Sequence, residues 1–408
     1  MHETLSSCRS CDAPDLEHFL SLGDIPLMSG FLDGDSLGSP EPRYPLNVGF
    51  CPRCSLVQLL ETVPAETLFA DNPAYASFAD AVLAHARDNA HSLIASQDLD
   101  GDSLVVEPGS NDGYMLRHFT QRSIPAVGID PAEGPAAAAE KLGIVTMREF
   151  FGARLAAQLV GEGKQADVVI ANNVLNEVPD LNDFVEGIAI LLRNNGLAVI
   201  EVPYVRDLID LCEFDTIYHE HLCYFSASAL VELFRRHNLS VNHIEQYPIH
   251  GGSLRLYVAK QVKVRSSVSE LLRQEAELGV LEAGYYRDFA GAVRDTQREL
   301  VGILREAKHE GRRIAAYGAT AKGTILLNSS GIGVDLIDYV VDRNVHKQGR
   351  FMPGVHIPVY DPAKLLEELP DYVVLLSWTF KDEVLSQQEE YRNKGGRFVI
   401  PIPTPTVV

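Results

Sequence analysis

Several features that mark other classes of protein are scarce in this 408-residue sequence. No run approaches the ~20 consecutive apolar residues that a membrane-spanning helix needs. Lysine and arginine number 35 against 56 aspartate and glutamate, a formal charge of −21, which disfavours attraction to a nucleic-acid backbone or an anionic membrane. The first residues carry neither the basic nor the apolar segment of an export signal. These absences predict a cytoplasmic protein without membrane or nucleic-acid partners, and they leave a small-molecule ligand open.

Cysteine is also scarce, and its spacing is informative. Four of the six cysteines form two Cys-x-x-Cys pairs, Cys8/Cys11 and Cys51/Cys54, with 39 residues between the pairs. Two intervening residues let one tight turn present two thiolates to a tetrahedral zinc ion. Disulfides or redox chemistry are the alternative, which a reducing cytosol disfavours. The sequence therefore predicts a structural zinc site in which the protein supplies all four ligands.

The pattern along the chain indicates an α/β protein with a small metal-held region at its start. Residues 1–65 are rich in glycine, proline and serine, and they are too short to bury a large core. A helical pattern from Ala65 to about Ser96 comes next. Between 104 and 201, short apolar runs alternate with helical segments, which is typical of a parallel sheet covered by helices.

Two later regions complete this organisation. The alternating runs Leu239 to Tyr247 and Leu254 to Ala259 predict an antiparallel pair at one edge of the sheet. Residues 267–310 predict one or two long helices, interrupted near Gly279 or Gly284. A second unit of strand, glycine loop and helix begins at Ile314, so the chain should contain a second nucleotide-binding-type sheet.

A glycine-containing loop follows the first apolar run of the alternating region. The segment Glu107-Pro108-Gly109-Ser110-Asn111-Asp112-Gly113 lies where glycine lets the backbone approach a ligand at the edge of an open sheet. It lacks the dinucleotide Gly-x-Gly-x-x-Gly and the Lys-Ser/Thr of a P-loop. The carboxylates of Glu107 and Asp112 suit a ligand with a cationic sulfonium and an amino group. Asp130 ends the next strand, where a carboxylate can accept hydrogen bonds from ribose hydroxyls. These residues favour S-adenosylmethionine over NAD.

Five motifs in a fixed order carry a family resemblance. They are the double Cys-x-x-Cys, the Glu107 to Gly113 loop, Tyr218-His219-Glu220-His221 with Tyr224-Phe225-Ser226, His250-Gly251-Gly252, and Tyr317-Gly318-Ala319-Thr320-Ala321-Lys322. From Cys8 to about Pro401 the chain resembles the three-domain sugar C-methyltransferases of deoxysugar pathways, typified by TDP-4-keto-sugar 3-C-methyltransferases. The resemblance implies methyl transfer from S-adenosylmethionine to a carbon next to a keto group of a nucleotide-linked sugar.

The same resemblance implies the architecture. We expect a small zinc-binding domain at 1–65 and a central seven-stranded Rossmann-like class I methyltransferase domain at 66–266. A C-terminal Rossmann-like α/β domain with its helical connector, at 267–408, should hold part of the nucleotide. The resemblance also favours a monomer.

A carbon nucleophile next to a carbonyl must first lose a proton, which needs a base and a group that steadies the enolate oxygen. By resemblance, His221 is the expected base, Glu220 its orienting or coupled carboxylate, and Tyr218 a donor near the sugar. A carboxylate can set the imidazole tautomer in such a site. Partly buried structural residues, or a metal-binding pair, are the alternative interpretation of this segment.

The resemblance also assigns ligand contacts. Expected cofactor contacts are Glu107, Gly109, Asn111, Asp112, Asp130, Phe151, Asn172 and Asn173. Expected substrate contacts are Tyr75, His219, Tyr224, His250, Lys322, Lys347 and Arg350. Lys322 enters a helix whose N-terminus can receive a phosphate, whereas a solvated loop is an open alternative for Lys347 and Arg350.

Two departures from the family pattern bear on the substrate. Glu177 stands in Asn173-Val174-Leu175-Asn176-Glu177-Val178-Pro179, where the family often has a histidine, and Ala76 to Ala79 replace a Ser-Ser after the aromatic at Tyr75. If Glu177 faces the substrate, a protonated amino group or a different proton route is favoured, so we count it as a catalytic candidate.

Three other functions stay open at this point. The same scaffold can methylate a different carbonyl, amine or hydroxyl compound, for which Glu177 is the discriminating feature. An RNA modifier is disfavoured by the charge of −21 and by the lack of a basic stripe. An NAD-dependent dehydrogenase is disfavoured because the loop at Tyr317 lacks the second and third glycines of the fingerprint.

Overall fold

The N-terminal region is an antiparallel sheet to which a later part of the chain contributes. The computed structural model describes residues 3–28, 30–68, 76–78 and 80–408. The sheet runs in the order β11-β4-β3-β2, and a separate two-stranded ladder pairs β1 with β5. The strands are β1 (Glu3–Thr4), β2 (Glu17–Pro26), β3 (Arg43–Phe50), β4 (Val57–Leu59), β5 (Glu61–Thr62) and β11 (Cys223–Tyr224). The region predicted to be metal-held therefore packs directly on the segment that follows His221.

The helical segment predicted from Ala65 to about Ser96 is partly covered by the described residues. Helix α1 (Ala65–Leu68), a 3₁₀ turn at Ala76–Phe78 and the long helix α2 (Asp80–Ser96) lie within it, while residues 69–75 and 79 lie outside the described ranges. The prediction is confirmed over α2.

Seven strands form the central sheet, as the sequence predicts. They are β6 (Val105–Pro108), β7 (Ala126–Ile129), β8 (Val145–Met147), β9 (Ala166–Asn172), β10 (Leu192–Pro203), β12 (Ser240–Tyr247) and β13 (Ser253–Ala259). The order is β12-β13-β10-β9-β6-β7-β8, and the five strands from β10 to β8 are parallel. Strand β13 pairs antiparallel with both β10 and β12, which confirms the predicted edge pair.

Helices connect these strands and cover the sheet. They are α3 (Arg117–Thr120), α4 (Glu133–Lys141), α5 (Ala153–Gly161), α6 (Leu181–Leu191), α7 (Val205–Asp210) and α8 (Ala227–Arg236). The side chains of Asp180 and Ser226 cap α6 and α8 by accepting backbone hydrogen bonds. Strand β9 is almost wholly buried and reads as a continuous apolar run, because a central parallel strand is covered on both faces.

Two helices lead to the C-terminal sheet. Helix α9 (Ser266–Leu278) ends at Gly279, which adopts the left-handed conformation at φ +79°, and α10 (Ala283–His309) runs through Gly284 without a break. The predicted interruption is therefore at Gly279, where a residue without a side chain closes the helix at no steric cost.

The C-terminal sheet has six strands in the order β16-β15-β14-β17-β18-β19, parallel except for β19. The strands are β14 (Ile314–Tyr317), β15 (Tyr339–Val341), β16 (Val359–Tyr360), β17 (Tyr372–Leu375), β18 (Arg397–Ile400) and β19 (Thr406–Val407). The helices are α11 (Ala321–Ser330), α12 (Lys364–Glu368), α13 (Lys381–Gln387) and α14 (Glu389–Asn393). Further 3₁₀ turns lie at Gly34–Ser36, Phe214–Thr216, Ile249–Gly251 and Trp378–Phe380. The N-terminal, central and C-terminal sheets with their helices confirm the predicted α/β class, while the exact domain limits stay a prediction.

None of the described helices is both long enough and apolar enough to cross a bilayer.

Candidate active site

The four paired cysteines converge on one point. Their sulfur atoms all lie within 4.8 Å of one another, and Sγ of Cys8 is 3.6 Å from that of Cys54, as Sγ of Cys11 is from that of Cys51. Sulfurs bound tetrahedrally at about 2.3 Å from one zinc ion would have this spacing. The donor set therefore fits zinc, which Cys8, Cys11, Cys51 and Cys54 would hold as a cross-link between two turns.

The loop from Glu107 to Gly113 turns sharply at the carboxyl end of β6. Gly109 has φ +71°, and a Cβ atom there would lie 2.8 Å from Cγ2 of Val174. Asn111 donates its backbone N–H to Oδ2 of Asp130 at 2.8 Å, and Asp130 Oδ1 accepts from Ala132 N at 2.9 Å. The carboxyl ends of β6 and β7 are thereby joined into one cradle, the usual ligand position in an open α/β sheet.

This cradle is lined with acceptor oxygens that lack partners. Within the described ranges, neither carboxylate oxygen of Glu107 has a hydrogen bond, nor does Oδ1 of Asp112. Burial, with the charges of Asp130 and Asp112, raises the pKa of Glu107 well above its ordinary value. Groups of this kind are normally satisfied by a ligand or water. The cradle fits S-adenosylmethionine, whose ammonium group and ribose hydroxyls would supply hydrogen-bond donors to these oxygens.

The end of β9 adds two amides to the same edge. Oδ1 of Asn172 and Oδ1 of Asn173 are buried and find no donor in the part of the chain that the structure describes. Asn172 donates weakly to the Tyr114 hydroxyl at 3.4 Å, and Asn173 has φ +54°. Phe151 is half-buried and meets Phe184 edge to face at 5.2 Å. Asn172 and Asn173 thus lie at the same sheet edge as the glycine loop, whereas Phe151 packs on α6. The individual roles of these residues stay predictions.

His221 is oriented by a backbone carbonyl. Its Nδ1 lies 3.2 Å from Thr216 O, which can only accept, so Nδ1 carries the proton. Nε2 is then unprotonated, and its lone pair accepts a hydrogen bond from the Tyr218 hydroxyl at 2.9 Å. The expectation that Glu220 orients this ring needs correction, because neither oxygen of Glu220 has a hydrogen-bond partner among the described residues.

His221, Glu177 and Glu220 all have shifted pKa values. Burial, aided by the positive charges of His250 and Lys322, lowers the pKa of His221 to about 3. Oε1 of Glu177 lies 3.9 Å from Nε2, and burial together with the charges of Glu220 and Asp130 raises the pKa of Glu177 to about 8. Burial also raises the pKa of Glu220 to about 7. Glu177 is therefore close to both the His221 loop and the cofactor cradle.

The other aromatic residues of the motif divide between this site and the N-terminal sheet. Tyr224 presents its ring at 6.4 Å from that of His221, and its buried hydroxyl has no partner among the residues described. His219 is predicted to contact substrate, but its buried ring donates from Nε2 to the carbonyl of Tyr44 at 3.2 Å. The structure therefore places His219 at the contact with β3.

Lys322 lies where the C-terminal region meets the His221 loop. Its Nζ is 3.6 Å from Oε2 of Glu213 and 5.0 Å from the ring centre of Trp378. Trp378 donates from Nε1 to Oδ2 of the fully buried Asp215 at 2.7 Å. Asp215 directly precedes Thr216, so the C-terminal region supports the carbonyl that orients His221.

The remaining predicted substrate residues are more scattered. Lys347 donates from Nζ to Ala319 O at 2.7 Å, and Arg350 pairs with the exposed Asp33 at 3.1 Å. His250 is exposed in a turn with φ +59°. Tyr75 lies outside the described residues. The structure thus brings Lys322, but not Lys347 or Arg350, into contact with the segment that precedes His221.

Two features of the site were missed by reasoning from the sequence. Thr216 has no distinguishing motif, because it acts through its carbonyl. Strand β11 is only two residues long, and its pairing with β4 joins positions more than 160 residues apart. The motif Tyr224-Phe225-Ser226 marked this segment as functional, but nothing in it indicated that Cys223 and Tyr224 pair with the N-terminal sheet.

Comparison with known proteins covers the whole chain. Three family descriptions match in succession: a zinc binding domain over residues 8–69, a methyltransferase domain over 75–244, and a C-methyltransferase C-terminal domain over 248–403. The C-methyltransferase NovU of Streptomyces niveus is 33% identical over 407 residues, which span 99% of this chain and 97% of NovU.

Solved methyltransferase structures resemble part of the chain. Magnesium protoporphyrin IX methyltransferase (ChlM) from Synechocystis PCC 6803 with bound SAM aligns over 45% of this chain and 82% of its own, with 17% identity and a TM-score of 0.34. The 1,6-didemethyltoxoflavin-N1-methyltransferase of Burkholderia thailandensis aligns over 42% and 76%, with 20% identity and a TM-score of 0.33. The assignment rests instead on the three successive family matches and the full-length relative: the chain belongs to the S-adenosylmethionine-dependent C-methyltransferases that carry a zinc-binding N-terminal domain.

Proposed function

We propose that this C-methyltransferase acts on a nucleotide-linked 4-keto sugar, with His221 as the base. The observation that carries the proposal is the state of the His221 ring. Its Nδ1–H is held by Thr216 O at 3.2 Å, which leaves Nε2 as a lone pair beside Tyr218 and Glu177. An oriented neutral imidazole next to a phenol suits the abstraction of a proton from carbon.

The proposed chemistry uses these side chains in sequence. Nε2 of His221 takes the proton from the carbon next to the ketone, and the electron pair moves into the carbonyl to form an enolate. The Tyr218 hydroxyl, released from Nε2, donates to the enolate oxygen. S-adenosylmethionine, which the Glu107 cradle would hold, would supply the methyl group: the new carbon–carbon bond forms as the S–CH₃ bond breaks, and S-adenosylhomocysteine is the leaving group. Glu177 lies close enough to stabilise the imidazolium that forms.

The acceptor's nucleotide is proposed to lie towards the C-terminal sheet. Lys322 supports this placement, since its buried Nζ has no acceptor within hydrogen-bond distance among the described residues and its partner Glu213 lies 3.6 Å away. Lys322 also lies in the first turn of α11, whose N-terminus favours a phosphate. Lys347 and Arg350 are further proposed contacts that would first have to leave Ala319 and Asp33. We also propose a cytoplasmic monomer with domain limits at 1–65, 66–266 and 267–408.

Proton exchange separates the base from the transfer step. The full-length protein, S-adenosylhomocysteine and TDP-4-keto-6-deoxyglucose are incubated in D₂O, and the deuterated carbon is identified by NMR. We expect enzyme-dependent exchange at one carbon next to the ketone, about 10²–10⁴-fold slower in His221→Ala. His309→Ala, an exposed histidine at the end of α10, is the matched control. Equal exchange in His221→Ala and the wild type would remove the base assignment.

The raised pKa of Glu177 favours an acceptor sugar that carries an amino group. At neutral pH the raised pKa leaves this carboxyl largely protonated, and an acceptor ammonium close to it would favour ionisation. An amino-substituted keto sugar should therefore be methylated faster than its hydroxyl analogue. Glu177→Gln should abolish that preference, and the measurement is the ratio of kcat/KM for the two acceptors.

A further inference from the structure

The loops that carry His221 and Glu177 are both bonded to one turn of the zinc-binding region, Cys8 to Cys11. The first route runs through Gln58, which is completely buried. Its Oε1 accepts from the backbone N–H of Arg9 at 3.0 Å, and on β4 it lies opposite Cys223 of β11. Leu59 N donates to the carbonyl of Leu222, the residue after His221, at 2.9 Å.

The second route leads to the Glu177 loop. The buried Arg9 guanidinium donates from one nitrogen to Pro179 O at 3.4 Å, and from the other to Thr62 Oγ1 at 2.7 Å. Asn182, in the first turn of α6, donates from Nδ2 to the carbonyls of Arg9 and Ser10, each at 3.2 Å. Pro179 and Asn182 therefore tie the end of the Glu177 loop to the same turn.

We propose that the Cys8–Cys11 turn sets the relative position of His221 and Glu177, with Arg9 as a positioning residue. This inference rests on the proposed roles of those two side chains. Their loops come from distant parts of the chain and touch where Cys223 N donates to Asn176 O at 3.1 Å. A metal cross-link between Cys8 and Cys54 would hold the turn rigid. A misplacement of about 1 Å at a reacting group can cost about 10²-fold in rate, so the zinc site would serve turnover as well as stability.

The test uses the full-length, zinc-loaded protein. Arg9→Lys keeps the charge but loses the fork that reaches Pro179 and Thr62 together. We expect kcat to fall about 10- to 100-fold, with the KM for the acceptor and the Kd for S-adenosylhomocysteine within about twofold of wild type, because Arg9 is in neither of the proposed ligand sites. Hydrogen exchange should become faster in peptides covering 173–182 and 219–224 and stay unchanged in the C-terminal sheet.

Two further variants keep the result decisive. Arg53→Lys, in the second cysteine turn and exposed, is the matched control and should behave as wild type. Asn182→Ala removes the Asn182 contacts of the second route without altering residues between the cysteines, and it should reproduce the faster exchange at 173–182. Wild-type kcat and exchange in both Arg9→Lys and Asn182→Ala would overturn the proposal, as would a fall in kcat that merely follows loss of zinc.

Failure of the proposed function would be recognised separately. If the wild type does not methylate a nucleotide-linked 4-keto sugar, the substrate assignment fails. The exchange of 173–182 and 219–224, measured with S-adenosylhomocysteine alone, still decides whether the turn positions both loops.

Discussion

Replacing Glu177 with glutamine should remove the main pH dependence of turnover. Oε1 of Glu177 lies 3.9 Å from Nε2 of His221, the atom proposed to take the substrate proton. Burial lowers the pKa of His221 to about 3, so the unassisted ring is a weak base at neutral pH. An ionised Glu177 would pair with the charge that forms on the ring, whereas its protonated form would not.

The size of this effect follows from the distance. At 3.9 Å and an effective dielectric constant of about 20, two opposite unit charges attract by about 4 kcal/mol. That energy corresponds to about 3 pKa units of added basicity. If about half of this gain in basicity is expressed in the rate of proton abstraction, ionised Glu177 accelerates that step about 30-fold. Since burial and nearby charges raise the pKa of Glu177 to about 8, the gain should develop as the pH rises through that value.

The assay is kcat between about pH 6 and 9.5 for wild type, Glu177→Gln and the control Glu186→Gln, an exposed residue of α6. Wild type and Glu186→Gln should rise through about pH 8. Glu177→Gln should match wild type at the acid end, where both side chains are neutral, and stay flat above it. A Glu177→Gln profile that keeps the rise, or a kcat equal to wild type at pH 9, would refute the reasoning.

Three more outcomes are expected. Because burial raises the pKa of Glu107, the contribution of its protonated form to stability is present below pH ~4.5 and is lost as the pH rises towards the shifted value. Glu107→Gln should therefore raise the Tm of the ligand-free protein at pH 8, but not at pH 4. The same variant should weaken the binding of S-adenosylhomocysteine in calorimetry. Trp378→Phe removes the donor to buried Asp215 and should cost about 1–3 kcal/mol in the free energy of unfolding, with kcat reduced more than cofactor affinity; unchanged denaturation and kcat would contradict this. Cys54→Ala should abolish binding of one zinc ion, measured by atomic absorption, and lower the Tm, since structural zinc contributes about 10–16 kcal/mol in small zinc-finger domains; full zinc content in this variant would rule out the four-cysteine site.

Local sequence patterns were sufficient to predict much of the fold and part of the candidate site. The two Cys-x-x-Cys pairs predict the sulfur cluster, because ligand spacing within one turn is a local property. Strands β6, β7 and β9 and the glycine loop before α3 follow from apolar runs and a glycine at positive φ. The cofactor cradle was predictable for the same reason, since the carboxyl ends of parallel strands meet at one edge of the sheet.

Contacts between distant segments set the limits of that reasoning. The sequence by itself determined the α/β class, the four-cysteine cluster, the acidic loop predicted to bind the cofactor and the residue types of the His221 motif, all of which are encoded over a few neighbouring residues. Only the tertiary structure decided that Thr216 rather than Glu220 orients His221, that His219 binds Tyr44 O, and that β11 joins the zinc-binding sheet. Those pairings depend on backbone carbonyls and strand edges, which every residue possesses. No local pattern of side chains can therefore specify which partners they find.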